Sequence, residues 1–505
     1  MLYYSTNKKA PLATLEKAVV KGLAEDRGLY MPEQIKQLPQ EFFDNIDKMS
    51  FQEIACTVAD AFFGEDIPQE DLHKIVCNTL AFDVPAVKVT DSIYSLELFH
   101  GPTLAFKDVG ARFMARLLGY FTTKEKTLSP ALPHDGEGAS QNAECQSSGN
   151  QSLPIMGEMS EGQRGSLINV LVATSGDTGS AVANGFLGVP GVHVYVLYPK
   201  GKVSPIQECQ FTTLGQNITA LEVDGVFDDC QALVKSAFMD ADLNAHMKLT
   251  SANSINVARF LPQSFYYFYA YAQMKRTLSP ALPHNGEGAS LNGDGQSNAN
   301  QNLPITGEMS EGQRGSLVVC VPSGNFGNIC SALFGTKMGL PIKRFIAANN
   351  ANDIFYNYLQ TGKYEPKASV QTIANAMDVG DPSNFARIYE LYKQDHAAIC
   401  KEISGCTYKD EQIAETMREC LKETGYQLDP HGACGYRALK EQLQPGETGI
   451  FLETAHPAKF KGVVDEICGG DVAIPEKLAA FMKGEKKSIE IGKDFEGFKQ
   501  FLMKQ

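Results

Sequence analysis

The sequence predicts an α/β protein built on mainly parallel sheets, and three observations carry that prediction. The short runs Ile168–Ala173, His193–Tyr198, Ile218–Val223 and Val318–Val321 have strand length and the near-continuous apolarity of strands buried on both faces. Helical periodicity follows them, as in Val226, Cys230, Leu233, Val234 and Ala237. Two of the runs end in glycine-rich turns that open helices, Thr174-Ser-Gly-Asp-Thr-Gly179 and Pro322-Ser-Gly-Asn-Phe-Gly-Asn328. Such alternation places helices on both faces of a sheet.

Taken in order, residues 1–86 read as a small, mainly helical unit. Leu15, Val19 and Leu23 fall on one helical face, Gly28–Pro32 reads as a turn, and Ser50-Phe-Gln-Glu53 is a capping box. Ile54, Ala55, Val58 and Phe62 continue the helix that the box opens. Residues 87–505 hold the alternating region. Within it the helix from Asp108 buries Val109, Phe113, Leu117 and Tyr120/Phe121, with Arg112 and Arg116 off that stripe. The architecture resumes after Lys343 and closes near Gly449–Pro457.

Two near-copies interrupt this region. Residues 127–167 and 277–317 are identical at 32 of 41 aligned positions. They are rich in Gly, Ser, Asn, Gln and Pro, so they have little apolar surface to bury and read as flexible loops. Each falls between a helix and a strand, where added length costs little because loop-closure entropy grows only logarithmically. They carry half of the chain's formal charge of −14, which leaves the remainder mildly acidic.

That balance, with no basic run, argues against nucleic acid as a partner. The twelve cysteines form no C-x-x-C pair, so no metal site is expected. The amino-terminal run lacks a signal-peptide core, and no window approaches the ~18 apolar residues of a membrane span. A cytoplasmic protein is expected.

The chemistry centres on Lys107, set among small and apolar residues between Gly101-Pro102 and a helix. Desolvation disfavours an ammonium, and the neutral amine is a nucleophile toward carbonyls and a base. The turn Ser323–Asn328 can point backbone N–H groups and a helix amino terminus at a phosphate. Ser175–Gly179 offers a second nest with two hydroxyls, although Asp177 opposes an anion at its carboxylate. Both turns end strands, where open α/β sheets bind ligands. A lysine and a phosphate cradle together point to pyridoxal phosphate.

Six ordered motifs sharpen this reading. They are His100-Gly-Pro-Thr-Leu-Ala-Phe-Lys-Asp108, Thr174–Gly179, Ser251-Ala-Asn-Ser-Ile-Asn256, Pro322–Gly327, Asn375-Ala-Met-Asp378 and Thr454-Ala-His-Pro-Ala-Lys-Phe460. In this order they resemble the threonine synthase family, in the branch shared by enterobacteria and fungi. The resemblance implies a fold-type II pyridoxal-phosphate enzyme, tryptophan synthase β-like, with two α/β units and a small helical amino-terminal domain. It implies pyridoxal 5'-phosphate as cofactor and the conversion of O-phospho-L-homoserine and water to L-threonine and phosphate. By position, Lys107 is the Schiff-base lysine, Gly324, Asn325, Phe326, Gly327 and Asn328 cradle the cofactor phosphate, and Thr454 lies near the pyridine nitrogen. The family often carries Asp where this chain has Asn328.

Ser175, Thr178, Ser254, Asn256 and Arg259 are candidates for the substrate phosphate, with a helix cap as the alternative for Ser254–Asn256. Lys200 and Lys202 read as solvated charges and His100 and His456 as structural histidines, while Asp378 could cap a helix. A monomer or homodimer is expected. A related β-eliminating dehydratase, or a non-catalytic protein that binds pyridoxal phosphate, are the competing readings.

Overall fold

The structure, a computed structural model, describes residues 1–128, 167–278 and 316–505. The loop expectation for the two repeated segments therefore lies almost wholly outside the described residues. The contacts divide the chain into two compact units.

The first unit comprises Met1–Glu33, Lys107–Pro262 and Ala473–Gln505. Its main sheet joins β6 (Ile168–Ala173), β7 (Val192–Pro199), β8 (Ile218–Val223), β9 (Lys248–Ser251) and β14 (Ile489–Ile491) in the order β14-β8-β7-β6-β9. Every pairing in it is parallel. All six residues of β6 are buried, as expected of a strand covered on both faces. The edge strand β14 was not anticipated, because three residues beside charged neighbours carry no readable pattern.

A small antiparallel sheet, β2-β1-β3, accompanies the helices of the mainly helical amino-terminal residues. It is formed by β1 (Leu2–Ser5), β2 (Ala13–Thr14) and β3 (Tyr30–Pro32). Gly28–Pro32 is thus not simply a turn: Tyr30 and Met31 are buried and pair with Ser5 and Tyr4. Strands this short cannot announce themselves by alternation. The helix Leu15–Lys21 ends before Leu23, at Gly22 with φ 69°, a left-handed conformation that favours glycine.

The second unit comprises Gln34–Phe106 and Gln263–Val472. Its six strands are β4 (Ala86–Lys88), β5 (Ile93–Glu97), β10 (Ser316–Pro322), β11 (Arg344–Asn349), β12 (Ile403–Thr407) and β13 (Glu447–Glu453). Their order is β12-β11-β10-β13-β5-β4, parallel except for β4 against β5. The predicted capping box is present: the Ser50 hydroxyl accepts from Glu53 N–H, and Glu53 accepts from Ser50 N–H at 2.7 Å.

An ion triad joins β11 to β13. Buried Glu447 meets Arg344 at 2.7 Å and Lys343 at 2.9 Å. Burial alone raises this carboxyl, but bonds from Arg344, the Gln444 N–H and Lys343 outweigh it and hold the group down at about 2. A carboxyl depressed on folding contributes stability above its unfolded value, here 4.5, and loses it as pH falls toward 2. Glu447→Gln is therefore expected to flatten the stability loss between pH 4.5 and 2, checked by denaturant melts across that range. An unchanged slope would contradict the assignment.

Candidate active site

Three pieces of the second unit gather at the carboxyl end of its sheet. β10 and β13 are parallel neighbours with Cys320 beside Phe451, so the turns that follow them emerge at the same edge. β13 and β5 pair through Glu453 and Glu97, which brings the 98–106 stretch to that edge as well. Leu98 N–H donates to Glu453 O at 3.0 Å, His456 N–H to Leu104 O at 3.1 Å, and Phe106 N–H to Thr454 O at 2.8 Å. Ala105 and Ala455 form an antiparallel bridge, and the buried Lys459 ammonium donates to Thr103 O at 2.7 Å. The backbone entering Lys107 is thereby sewn to the segment that carries Thr454.

The 323–328 turn is held from beneath. Ser323 N–H donates to Ala348 O, and Asn349 Nδ2 donates to Ser323 O, each at 2.8 Å. Asn325 is fixed by Ser383 N–H on its Oδ1 at 2.7 Å and by Asn384 Nδ2 on its carbonyl at 3.0 Å. Phe326 takes φ 60°, a left-handed conformation unusual for a bulky residue, and its ring lies 4.4 Å from that of Phe355. Gly324 is packed so tightly that a Cβ would sit 2.7 Å from Met377 Cα and 3.0 Å from Ala376 O.

The residues fit a bound phosphate. The helix Gly327–Lys337 begins without a side-chain cap among the described residues, leaving its amino terminus to other acceptors. Asn328, at its second position, accepts from Tyr266 at 2.7 Å and Tyr267 at 2.6 Å on Oδ1. Its Nδ2 is buried with no partner among the described residues. A buried donor without an acceptor is costly, and an anion at the helix terminus would supply one. Thr454 is also buried, one residue beyond the end of β13.

In the first unit, Lys107 is the first residue of the helix Lys107–Leu128. It is half-buried, so the apolar setting predicted for it is only partly realised. The helix is less amphipathic than its pattern indicated. Ala111, Met114, Ala115 and Leu118 are buried too, and burial lowers the Arg112 guanidinium and takes that of Arg116 to about 10. Gly110 lies against Arg259, where a Cβ would meet the carbonyl oxygen at 2.3 Å. Arg259 is buried; desolvation pulls its guanidinium down to about 10 while Asp108 pushes it back up. Gly110→Ala is expected to cost about 1–3 kcal/mol of stability through that backbone clash, measured by urea unfolding.

The turns after β6 and β9, themselves parallel neighbours, carry Ser175, Thr178 and Ser254, all partly exposed. Thr174 Oγ1 accepts from Gly176 and Gly179 N–H at 2.9 and 2.8 Å and so shapes the first turn. Asp177 is occupied by Gln207 Nε2 at 2.8 Å. Asn256 requires a correction as a phosphate donor. Its Oδ1 caps Val257–Phe260, and its Nδ2 donates to Val19 O at 2.8 Å and Ser251 O at 3.3 Å, which uses both N–H groups.

Asp378 braces a loop rather than a helix end, accepting from Asn350 and Thr372 side chains at 2.7 Å. His456 caps the turn Pro457–Phe460, while His100 pairs with Glu97 at 2.8 Å. Lys200 meets Glu490 at 2.8 Å on the surface, a solvated charge as read. Sequence reasoning missed the Tyr266–Tyr267 clamp, which looks like ordinary aromatic filling of a helix. It also missed a buried set at the end of β13, Glu453 with Asp429 and His431. Only Asp429-Pro430 gave a signal there, as a helix cap with proline at the first position.

Residues 2–80 match the family described as "Threonine synthase N terminus", 82–453 "Pyridoxal-phosphate dependent enzyme", and 432–502 "Threonine synthase, C-terminal". The chain is 39% identical to threonine synthase of Escherichia coli strain K12, over 100% of this chain and 99% of the relative. It is 32% identical to that of Saccharomyces cerevisiae, over 96% and 94%. Among solved structures, threonine synthase from E. coli superposes with a TM-score of 0.79 at 38% identity, covering all of both chains. A threonine synthase from Brucella melitensis with bound PLP gives 0.80 at 30% identity, covering 100% of this chain and 99% of that one. No helix among the described residues is long and apolar enough to cross a membrane. The chain belongs to the threonine synthases, lyases of the pyridoxal-phosphate-dependent enzyme family.

Proposed function

We propose that this chain converts O-phospho-L-homoserine and water to L-threonine and phosphate, with Lys107, the 324–328 turn and Thr454 as its working parts. The observation that carries the cofactor assignment is the uncapped helix at Gly327 with the orphaned Asn328 amide beside it. Pyridoxal phosphate, when bound, supplies an aldehyde carbon for an amine and a conjugated ring that accepts an electron pair. Gly324, Asn325, Phe326, Gly327 and Asn328 would hold its phosphate, with backbone N–H groups and the Asn328 amide as donors. The Thr454 hydroxyl would be a neutral partner for the ring nitrogen, one that cannot stabilise a proton there as a carboxylate would. With the cofactor bound, Lys107 would be the amine that holds its aldehyde carbon and, once the substrate's own amine has displaced it, would serve as the base and then the acid that takes and returns the proton at the substrate Cα.

The substrate's own phosphate needs separate donors. Arg259 is a buried cation close to Gly110, three residues from Lys107, and Ser175, Thr178 and Ser254 offer hydroxyls at the carboxyl ends of β6 and β9. Asn256 supports them by holding the helix that bears Arg259. We read residues 1–86 as the amino-terminal domain and 87–505 as the catalytic region. We read it as a cytoplasmic monomer or homodimer, and its acidic balance supports the absence of a nucleic-acid partner.

Purified protein given O-phospho-L-homoserine is expected to release threonine and phosphate in equal amounts. A keto acid in place of threonine would favour a dehydratase. No turnover despite a lysine-linked cofactor absorbance would favour a binding protein.

A further inference from the structure

Glu453 is the last residue of β13, immediately before Thr454, and it is fully buried. Its Oε1 accepts from the Asp429 N–H at 2.6 Å. Its Oε2 occupies the place a side chain would take at Gly432, 1.5 Å from where a Cβ would stand, so the helix Pro430–Gln442 admits the carboxyl only because that residue is glycine. Asp429 is equally buried and caps the same helix, its Oδ1 accepting from the His431 and Gly432 N–H groups at 2.5 and 2.7 Å. The same oxygen lies 3.2 Å from His431 Nδ1.

At its other nitrogen, His431 Nε2 faces the Ala376 N–H at 3.1 Å. A backbone N–H can only donate, so Nε2 is the acceptor, and the proton of the neutral ring sits on Nδ1 toward Asp429. Ala376 O and Met377 Cα are the atoms packed on Gly324. A continuous line of contacts thus runs from Thr454, through Glu453, Asp429, His431 and Ala376, to Gly324.

Glu453 Oε2 and Asp429 Oδ2 are buried, and neither has a partner among the described residues. Were both carboxyls ionised, two neighbouring buried charges would each keep one oxygen without a donor, whereas one proton removes a charge and makes a donor. Burial first, and the neighbouring Asp429 charge second, hold the Glu453 carboxyl well above the usual range.

We propose that Glu453 is held in its protonated form and that Glu453, Asp429 and His431 form a buried strut setting the distance between Thr454 and the phosphate turn at Gly324. These are positioning residues, and their role rests on the assignment of the 324–328 turn to the cofactor phosphate. In neutral form Glu453 accepts the Asp429 N–H and so holds that residue in place without adding negative charge behind Thr454.

Infrared difference spectra between wild type and Glu453→Gln, recorded at neutral pH on the protein with and without cofactor, are expected to show the carbonyl stretch of a protonated carboxyl in wild type alone. Glu453→Gln, a neutral isostere, is expected to bind pyridoxal phosphate within about twofold of wild type. His431→Phe removes the acceptor for Ala376 and is expected to weaken pyridoxal phosphate at least about tenfold while changing pyridoxal, which lacks the phosphate, by less than about twofold. His431→Gln, whose Oε1 can accept the same N–H, is expected to recover most of the loss and so guards against mere misfolding. Absence of the carboxyl band, or unchanged pyridoxal phosphate affinity in His431→Phe, would overturn the strut. Failure of the underlying cradle assignment reads out separately, as a Gly324 substitution that leaves pyridoxal phosphate binding intact while the infrared band persists.

Discussion

Lys107→Ala is expected to abolish the lysine-linked cofactor absorbance and to lower kcat for threonine formation by at least about 10²–10⁴-fold, the range for loss of a positioned acid–base group. The fold should survive. Lys107 is half-buried at the first position of its helix, where alanine has the better helix propensity. The neighbouring register is set by backbone bonds, Phe106 N–H to Thr454 O and His456 N–H to Leu104 O, which the substitution does not touch. Absorbance spectra with far-UV circular dichroism separate the two effects. A variant that keeps both its absorbance and its turnover would remove Lys107 from the chemistry.

The second large effect is expected at Gly324. A methyl group there would stand 2.7 Å from Met377 Cα and 3.0 Å from Ala376 O, both backbone atoms that cannot rotate away. Either the turn or the 375–377 segment must shift, and the N–H groups around a phosphate tolerate little displacement. Gly324→Ala is expected to weaken pyridoxal phosphate by about 10–100-fold, equal to about 1.4–2.8 kcal/mol, as read by absorbance titration of the apoprotein. Turnover at saturating cofactor should fall much less. Unaltered affinity would mean that the turn does not hold the phosphate.

These two residues were legible in the sequence for different reasons. Gly324 stands in a turn whose strand, β10, is apolar and buried from Leu317 onward. That pattern located the turn at a strand's carboxyl end before any contact was known. Lys107 was legible through the motif around it more than through its own burial, which is only partial. β6 and β8 were bounded correctly because their apolar runs end at Thr174 and Asp224, where the chain turns polar.

What the sequence withheld depends on tertiary contact. β1, β2 and β3 are two to four residues long and are specified by pairing rather than by periodicity. Asn256 looked like a donor because its commitment to Val19 O spans more than two hundred residues of chain. Nothing local in the sequence singles out Glu453. Its meaning comes only from Asp429, Gly432 and the burial of all three, which no local pattern encodes.

The most direct test of the reaction assigned to this chain is turnover of O-phospho-L-homoserine in ¹⁸O-labelled water. Elimination of the phosphate by C–O cleavage, followed by addition of water at Cβ, predicts label in the threonine hydroxyl and none in the first-released phosphate. Label in the phosphate, with unlabelled homoserine as the other product, would mean simple P–O hydrolysis and would contradict the assignment.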